Sequence, residues 1–300
     1  MTDSDHHDQE SSGRATRRDV LAGTAAFGAL ALGATAGPAL GAATQQGRET
    51  TLLVRIENVS TDTTLQTTLE DDGGEQPVPL SPGAFAVHRS GEPIFTPGEP
   101  ERNNGLEEIA EDGDPSRLAD ALAGDESVRS SGAFTTPVGG TEPAPIGPGG
   151  AYEFEVTARP EDRLSFATMF VPSNDLFYAP DPGGLPLFRG VEPRTGDVTD
   201  RVALWDAGTE INEEPGVGEN QVQRQRGPGV GLVERGTVAN IRDVNGYDYP
   251  RVDEVVQVTI EVVEETTEET TVATTEETTV ATTEETTVAT TEETTEEYTG

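Results

Sequence analysis

Apolar and polar residues alternate along Thr51–Val59, with Leu52, Val54 and Ile56 on one face and Arg55 and Glu57 on the other. That is the period-two signature of a half-buried β-strand. The same alternation runs through Ala151–Ala158, where Tyr152, Phe154 and Val156 share a face, and again through Leu164–Val171. Between them Arg159-Pro160-Glu161-Asp162 predicts a turn, so the two runs read as a hairpin. Val255–Val262 reads as a strong final strand, and Pro82–His88, Leu185–Phe188, Asp200–Leu204 and Gly236–Ile241 as shorter ones. Two stretches have helical spacing instead. Residues 105–113 make one or two helical turns closed by glycine. Residues 114–124 carry Asp114 as cap, Pro115 at the first helical position, Leu118 and Leu122 on one face and Gly124 as the stop. Both read as short connections. Many short strands, Gly/Pro loops such as 132–150 and no βαβ rhythm predict an all-β fold, an antiparallel β-sandwich.

The flanks break this pattern. Thr16-Arg17-Arg18-Asp19-Val20-Leu21 opens an Ala/Gly/Leu-rich run, so residues 1–43 read as a twin-arginine export signal with small residues at Ala39/Gly41 or Gly41/Ala43 for cleavage. The run is too weakly apolar for a stable membrane span, and no membrane insertion is expected after cleavage. Residues 44–49 form a linker, 50–263 the folded domain, and 264–300 a tail. There Thr-Thr-Val-Ala-Thr-Thr-Glu-Glu recurs, a composition that cannot bury enough apolar area to offset chain entropy. An extended solvated tail is expected, either an O-glycosylated stalk or a solubilising repeat.

Charge narrows the setting. The net charge of −37 excludes a nucleic-acid footprint, and all 19 basic residues are arginine, with no lysine. An acidic, lysine-free, Thr-rich surface suits a halophilic protein, whose self-repulsion is screened in concentrated salt. Without cysteine there is no disulfide framework, thiol catalysis or thiolate metal site. The expected setting is extracellular or cell-surface, as a monomer.

The candidate chemistry sits in two acidic turns. Trp205-Asp206-Ala207-Gly208-Thr209-Glu210 sets ionised oxygens around a glycine that permits a sharp bend, and Pro172-Ser173-Asn174-Asp175-Leu176-Phe177 follows the strand 164–171. Such turns hold hard cations; aspartates in turns also simply cap their own backbone. Trp205 is expected to pack in the core or at its rim. Two carboxylates also admit an acid/base pair for glycoside hydrolysis, but no nucleophile elbow, phosphate loop or zinc motif accompanies them. His6 and His7 precede the export signal, and His88 is expected at the surface. Asn58-Val59-Ser60 is a glycosylation sequon.

The two turns, taken in order with Tyr249-Pro250-Arg251-Val252 before the last strand, resemble the spondin domain of F-spondin and mindin over roughly residues 50–262. The resemblance implies a C2-like β-sandwich with a metal ion, usually calcium, at one end. It implies Asp175 and Asp206 as side-chain ligands and the Tyr178 carbonyl as a backbone ligand, with Asn174 and Glu210 at the same site. Here Asn174 stands in place of a second proline, Leu176 in place of an aromatic and Glu210 in place of aspartate. The expected function is a non-catalytic, calcium-stabilised binding or adhesion module whose partner is an extracellular protein or glycan. The alternatives are an envelope structural component without a specific ligand, or a carboxylate-based glycoside hydrolase.

Overall fold

A computed structural model describes residues 49–69, 74–244 and 246–263. The export signal, nearly all of the linker and the repeat tail lie outside the described residues. In chain order the elements begin with β1 (Thr50–Asn58), the small pair β2 (Leu65–Gln66) and β3 (Glu75–Gln76), and β4 (Leu80–His88). Helices α1 (Leu106–Asp112) and α2 (Ser116–Ala123) follow, then β5 (Val128–Phe134), β6 (Ala151–Ala158), β7 (Arg163–Phe170) and β8 (Leu176–Pro180). Next come four two-residue strands, β9 (Leu185–Pro186), β10 (Phe188–Arg189), β11 (Glu192–Pro193) and β12 (Gly196–Asp197). The chain closes with β13 (Val202–Asp206), β14 (Ala239–Asn240), helix α3 (Val252–Val255) and β15 (Val256–Val262).

Two antiparallel sheets carry the fold, as the alternation predicts. One has the order β12-β15-β1-β6; the other runs β14-β13-β8-β7-β4-β5, with β9 on β7. Between them lies the main core. Leu52, Val54 and Ile56 of β1 and Val256, Val258 and Ile260 of β15 face Leu164, Phe166 and Phe170 of β7 and Leu176 and Tyr178 of β8. Each such side chain, fully buried, contributes about 1.5–3 kcal/mol.

The second sheet is buried on its other face too. Ala84, Ala86, Ala167 and Ala179 line that face together with Phe177 and Trp205, and α1 and α2 close over it through Leu106, Ile109, Leu118 and Leu122. Alanines there let helices approach the strands closely. The helices are thus a third layer rather than mere connections. Their ends follow the sequence: the Asp114 carboxylate accepts from Ser116 N at 2.9 Å, and left-handed Gly113 closes α1 by donating to Ile109 O at 3.0 Å.

Two further expectations are corrected. β6 and β7 do not form a hairpin: β6 pairs with β1 in the first sheet, and β7 pairs with β4 and β8 in the second. The turn between them crosses from sheet to sheet, fixed by Asp162, which accepts from Arg159 N at 2.8 Å and pairs with Arg129 at 2.9 Å. Alternation defines a strand's faces but not its neighbour. His88 is not at the surface. It is fully buried on β4, with Nε2 2.9 Å from Ser165 Oγ and Nδ1 3.2 Å from Ser90 O, and burial lowers its pKa.

The sequon asparagine is likewise structural. Asn58 is buried; its amide donates to Val78 O at 2.8 Å and Ile146 O at 3.0 Å, while its oxygen accepts from Ser60 N at 3.0 Å. It ties the end of β1 to two loops. Asn58→Ala leaves those groups unpaired in the core and is expected to cost about 2–4 kcal/mol in equilibrium unfolding. An unchanged unfolding midpoint would show that the loops find other partners.

Candidate functional site

The site begins with strand pairing. β8 and β13 run antiparallel with Asp206 opposite Leu176, and Ala207 N extends the ladder by donating to Asp175 O at 3.1 Å. The Asp175 turn enters β8 at the very end where β13 delivers Asp206. Ser173 shapes that turn, its hydroxyl donating to Phe170 O at 2.6 Å and accepting from Leu176 N at 3.1 Å. Beyond Asp206 the chain reverses at Gly208, whose φ of 70° and close approach to Thr237 N, 2.7 Å from where a Cβ would sit, exclude a side chain.

The two aspartates are closed off from solvent, Asp175 at 0% exposure and Asp206 at 2%. One oxygen of Asp175, Oδ2, accepts from Thr209 N at 2.8 Å, Glu210 N at 3.0 Å and Thr209 Oγ1 at 3.2 Å. The other, Oδ1, is buried with no hydrogen-bond partner. Asp206 Oδ1 accepts from Gly208 N at 2.7 Å, and its Oδ2 accepts from the Asn212 amide. Burial, and then the neighbouring Asp206, push the Asp175 carboxyl well above the usual carboxylate range. Burial also raises Asp206. Two buried carboxyls side by side resist double ionisation unless a proton or a cation sits with them.

Glu210 is also buried. Its Oε1 accepts from Gly231 N at 2.8 Å, its Oε2 lies 3.5 Å from the Asn174 amide nitrogen, and burial raises its pKa. Gly231 makes this approach possible, since a Cβ there would fall 1.8 Å from Glu210 Oε2. Asn174 serves as a splice rather than a free donor of oxygen: its Oδ1 accepts from Glu213 N and its Nδ2 donates to Glu213 Oε2, both at 3.0 Å.

Of the residues singled out by sequence, Asp175, Asp206, Glu210 and Asn174 come together. Tyr178 does not. It pairs with Leu204 on one side and Thr168 on the other, inside the sheet. Three residues of extended strand put its carbonyl about 10 Å from Asp175. Its ring is buried in the main core, 6.0 Å from that of Phe170. Trp205 packs as expected, on the helix side of the sheet, with Nε1 donating to Ala179 O at 3.2 Å and its ring 4.9 Å from that of Phe95.

The structure adds Glu111, which the helical pattern of α1 gave no reason to single out. It is buried, and burial drives its pKa from 4.5 to about 8, with the Thr209 hydroxyl opposing and Glu210, Glu107 and Asp175 reinforcing the rise. Thr209 has one hydroxyl proton to give to two carboxyls. Among the described residues no three or more His, Asp or Glu side chains converge in an arrangement that would by itself hold a metal ion. A cation here would draw on the Asp175/Asp206 pair, backbone carbonyls and water.

Glu111 binds its proton more tightly folded than unfolded, so its burial penalises the fold as pH rises. Stability is therefore expected to fall between about pH 4.5 and about 8, and Glu111→Gln to flatten that slope. Thermal unfolding across that range checks it, and an identical slope in the variant would place the titration elsewhere.

In comparisons with known proteins, the chain matches no family model and no curated protein. What fold and site define together is a class: an antiparallel β-sandwich with helices over one sheet and a buried carboxylate pair at one end.

Proposed function

We propose that this chain is an exported, cell-surface binding module of spondin-like type, in which a calcium ion held by Asp175 and Asp206 pins two loops together at one end of the sandwich. The observation that carries this reading is the Asp175 carboxylate: fully buried, beside a second buried carboxylate, with Oδ1 lacking any partner. An orphaned buried anionic oxygen costs several kcal/mol unless a cation or proton meets it. Calcium takes such oxygens together with carbonyls and water in flexible geometry.

A non-catalytic role fits the same observation. A general acid and base must reach a glycosidic bond, and carboxylates at 0% and 2% exposure face protein rather than a sugar. The ion would act by holding the 173–175 turn against the 206–213 turn, shaping the loops around it. Thermal unfolding in molar salt tests this. Added calcium at about a thousand times its dissociation constant should stabilise by about 4 kcal/mol, which is roughly 10 °C for a domain of this size. The increment should vanish in Asp206→Ala. Equal melting temperatures with calcium and with chelator would remove the ion from the account.

A further inference from the structure

A groove of about 500 Å³ lies along the Val202–Leu204 segment of β13, away from the buried carboxylates. Its charged lining is Asp181, Asp200 and Asp248 with Arg201, Arg242 and Arg251, three acids and three bases. On a chain of net charge −37 this is a locally neutral patch. We propose that the groove is a binding site for a neutral, hydroxyl-rich glycan.

The chemistry of the lining selects that class. An anion site would not carry three carboxylates, and a cation site would not carry three guanidiniums. A sugar hydroxyl both donates and accepts, so interleaved acceptors and donors suit it, and Asn240 adds one more of each. The ion pairs already present are weak competitors. Arg201 lies 3.5 Å from Asp200 with their side chains 50% and 77% exposed, and Arg251 pairs with Asp253, both more than half exposed. Such exposed pairs are worth about 0–1 kcal/mol, so a ligand can redirect these groups at little cost.

Two tyrosines supply apolar surface. Tyr249 is braced from below, its ring 6.0 Å from that of Phe170 and packed on the main core, so that wall is rigid. Tyr247 is 41% exposed, an amphipathic ring at the lining of a polar groove, where its face can stack on a sugar. The depression does not end there. A second one of about 460 Å³ shares Asp200, Arg242 and Arg251 with the first and continues to Thr199, Asp197 and Asp253, so the balance of charge belongs to the first depression and the second adds acceptors for sugar hydroxyls. Each lies in the size range of ordinary ligand sites, and two in series fit an oligosaccharide better than a single sugar ring.

This inference keeps the reading of a binding module but not its cation, so the two fail separately. The test is titration of the protein in molar salt with neutral linear trisaccharides of glucose and mannose, followed by calorimetry or saturation-transfer NMR. Saturable binding to at least one of them is expected. It should weaken about tenfold in Tyr247→Ala and in Arg242→Ala, equal to about 1.4 kcal/mol, and stay unchanged in chelator and in Asp206→Ala. Melting temperatures within a degree or so of the parent would show that the variants are folded. No saturation with any of these sugars, or undiminished binding by Tyr247→Ala, would overturn the proposal. Binding confined to sulfated or uronate analogues and lost as salt rises would overturn it in favour of an anion site. Loss of binding in chelator alone would place the ligand at the carboxylate pair instead.

Discussion

Asp175→Ala is expected to lower stability by about 3–5 kcal/mol in calcium, because it leaves the backbone N–H groups of Thr209 and Glu210 unpaired in a closed site and removes the main anchor of the proposed ion. Asp175→Asn separates these contributions. The amide oxygen can still accept from Thr209 N and Glu210 N, while the negative charge beside Asp206 is gone. In chelator at pH 8 the asparagine variant should therefore be as stable as the parent or more so, since burial opposes the Asp175 carboxylate there. In calcium it should be the less stable of the two. This reversal of order, read from thermal unfolding with and without chelator, distinguishes a cation site from a purely structural capping aspartate. A structural cap would give the same order in both conditions.

Trp205→Ala is the second large effect, at about 3–5 kcal/mol. The indole is buried in the cluster between the helical layer and the second sheet. It packs with Phe95, which in turn stands edge-on to Phe177 at 5.2 Å, and no alanine on that face can fill the space it leaves. The neighbouring Asp206 makes the consequence functional. Slack in β13 on that side loosens the end of the strand that holds the carboxylate, so calcium affinity should fall along with the unfolding midpoint. Urea unfolding measures the first and a calcium titration the second. A stability loss below about 1 kcal/mol would mean that the helices collapse onto the sheet and heal the cavity.

Much of the fold was legible because one-sided burial writes itself as alternation. β1 shows it most plainly, with Leu52, Val54 and Ile56 buried and their neighbours half-buried. Legibility failed where a strand is covered on both faces. In β7 every residue from Leu164 to Phe170 is buried, because the first sheet covers one face and the helices the other. The pattern there reveals a strand but not which sheet it joins, hence the false hairpin with β6. His88 was misplaced because nothing in the pattern of β4 shows what lies across it: Ser165 of β7 and the turn at Gly184 close against its ring.

The site was legible in part. Asp175 and Asp206 each stand at the end of a recognisable strand, and antiparallel pairing of those strands is enough to bring them together. Tyr178 was not, because its position depends on where β8 begins. A strand starting at Leu176 carries Tyr178 two residues into the sheet and away from the turn. Glu111 was not legible either. On α1 it neighbours Ile109 and Ala110, which reach the sheet, and only the folded position of Thr209 turns an ordinary helical glutamate into part of an acidic cluster.

Calcium titration of the metal-free protein in molar salt, followed by calorimetry with Asp206→Ala alongside, bears most directly on the proposed cation site where the two turns converge. One ion per chain is expected, with protons released as the raised carboxyls ionise and both signals absent from the variant. A flat titration of the parent, or an isotherm that Asp206→Ala leaves intact, would contradict it.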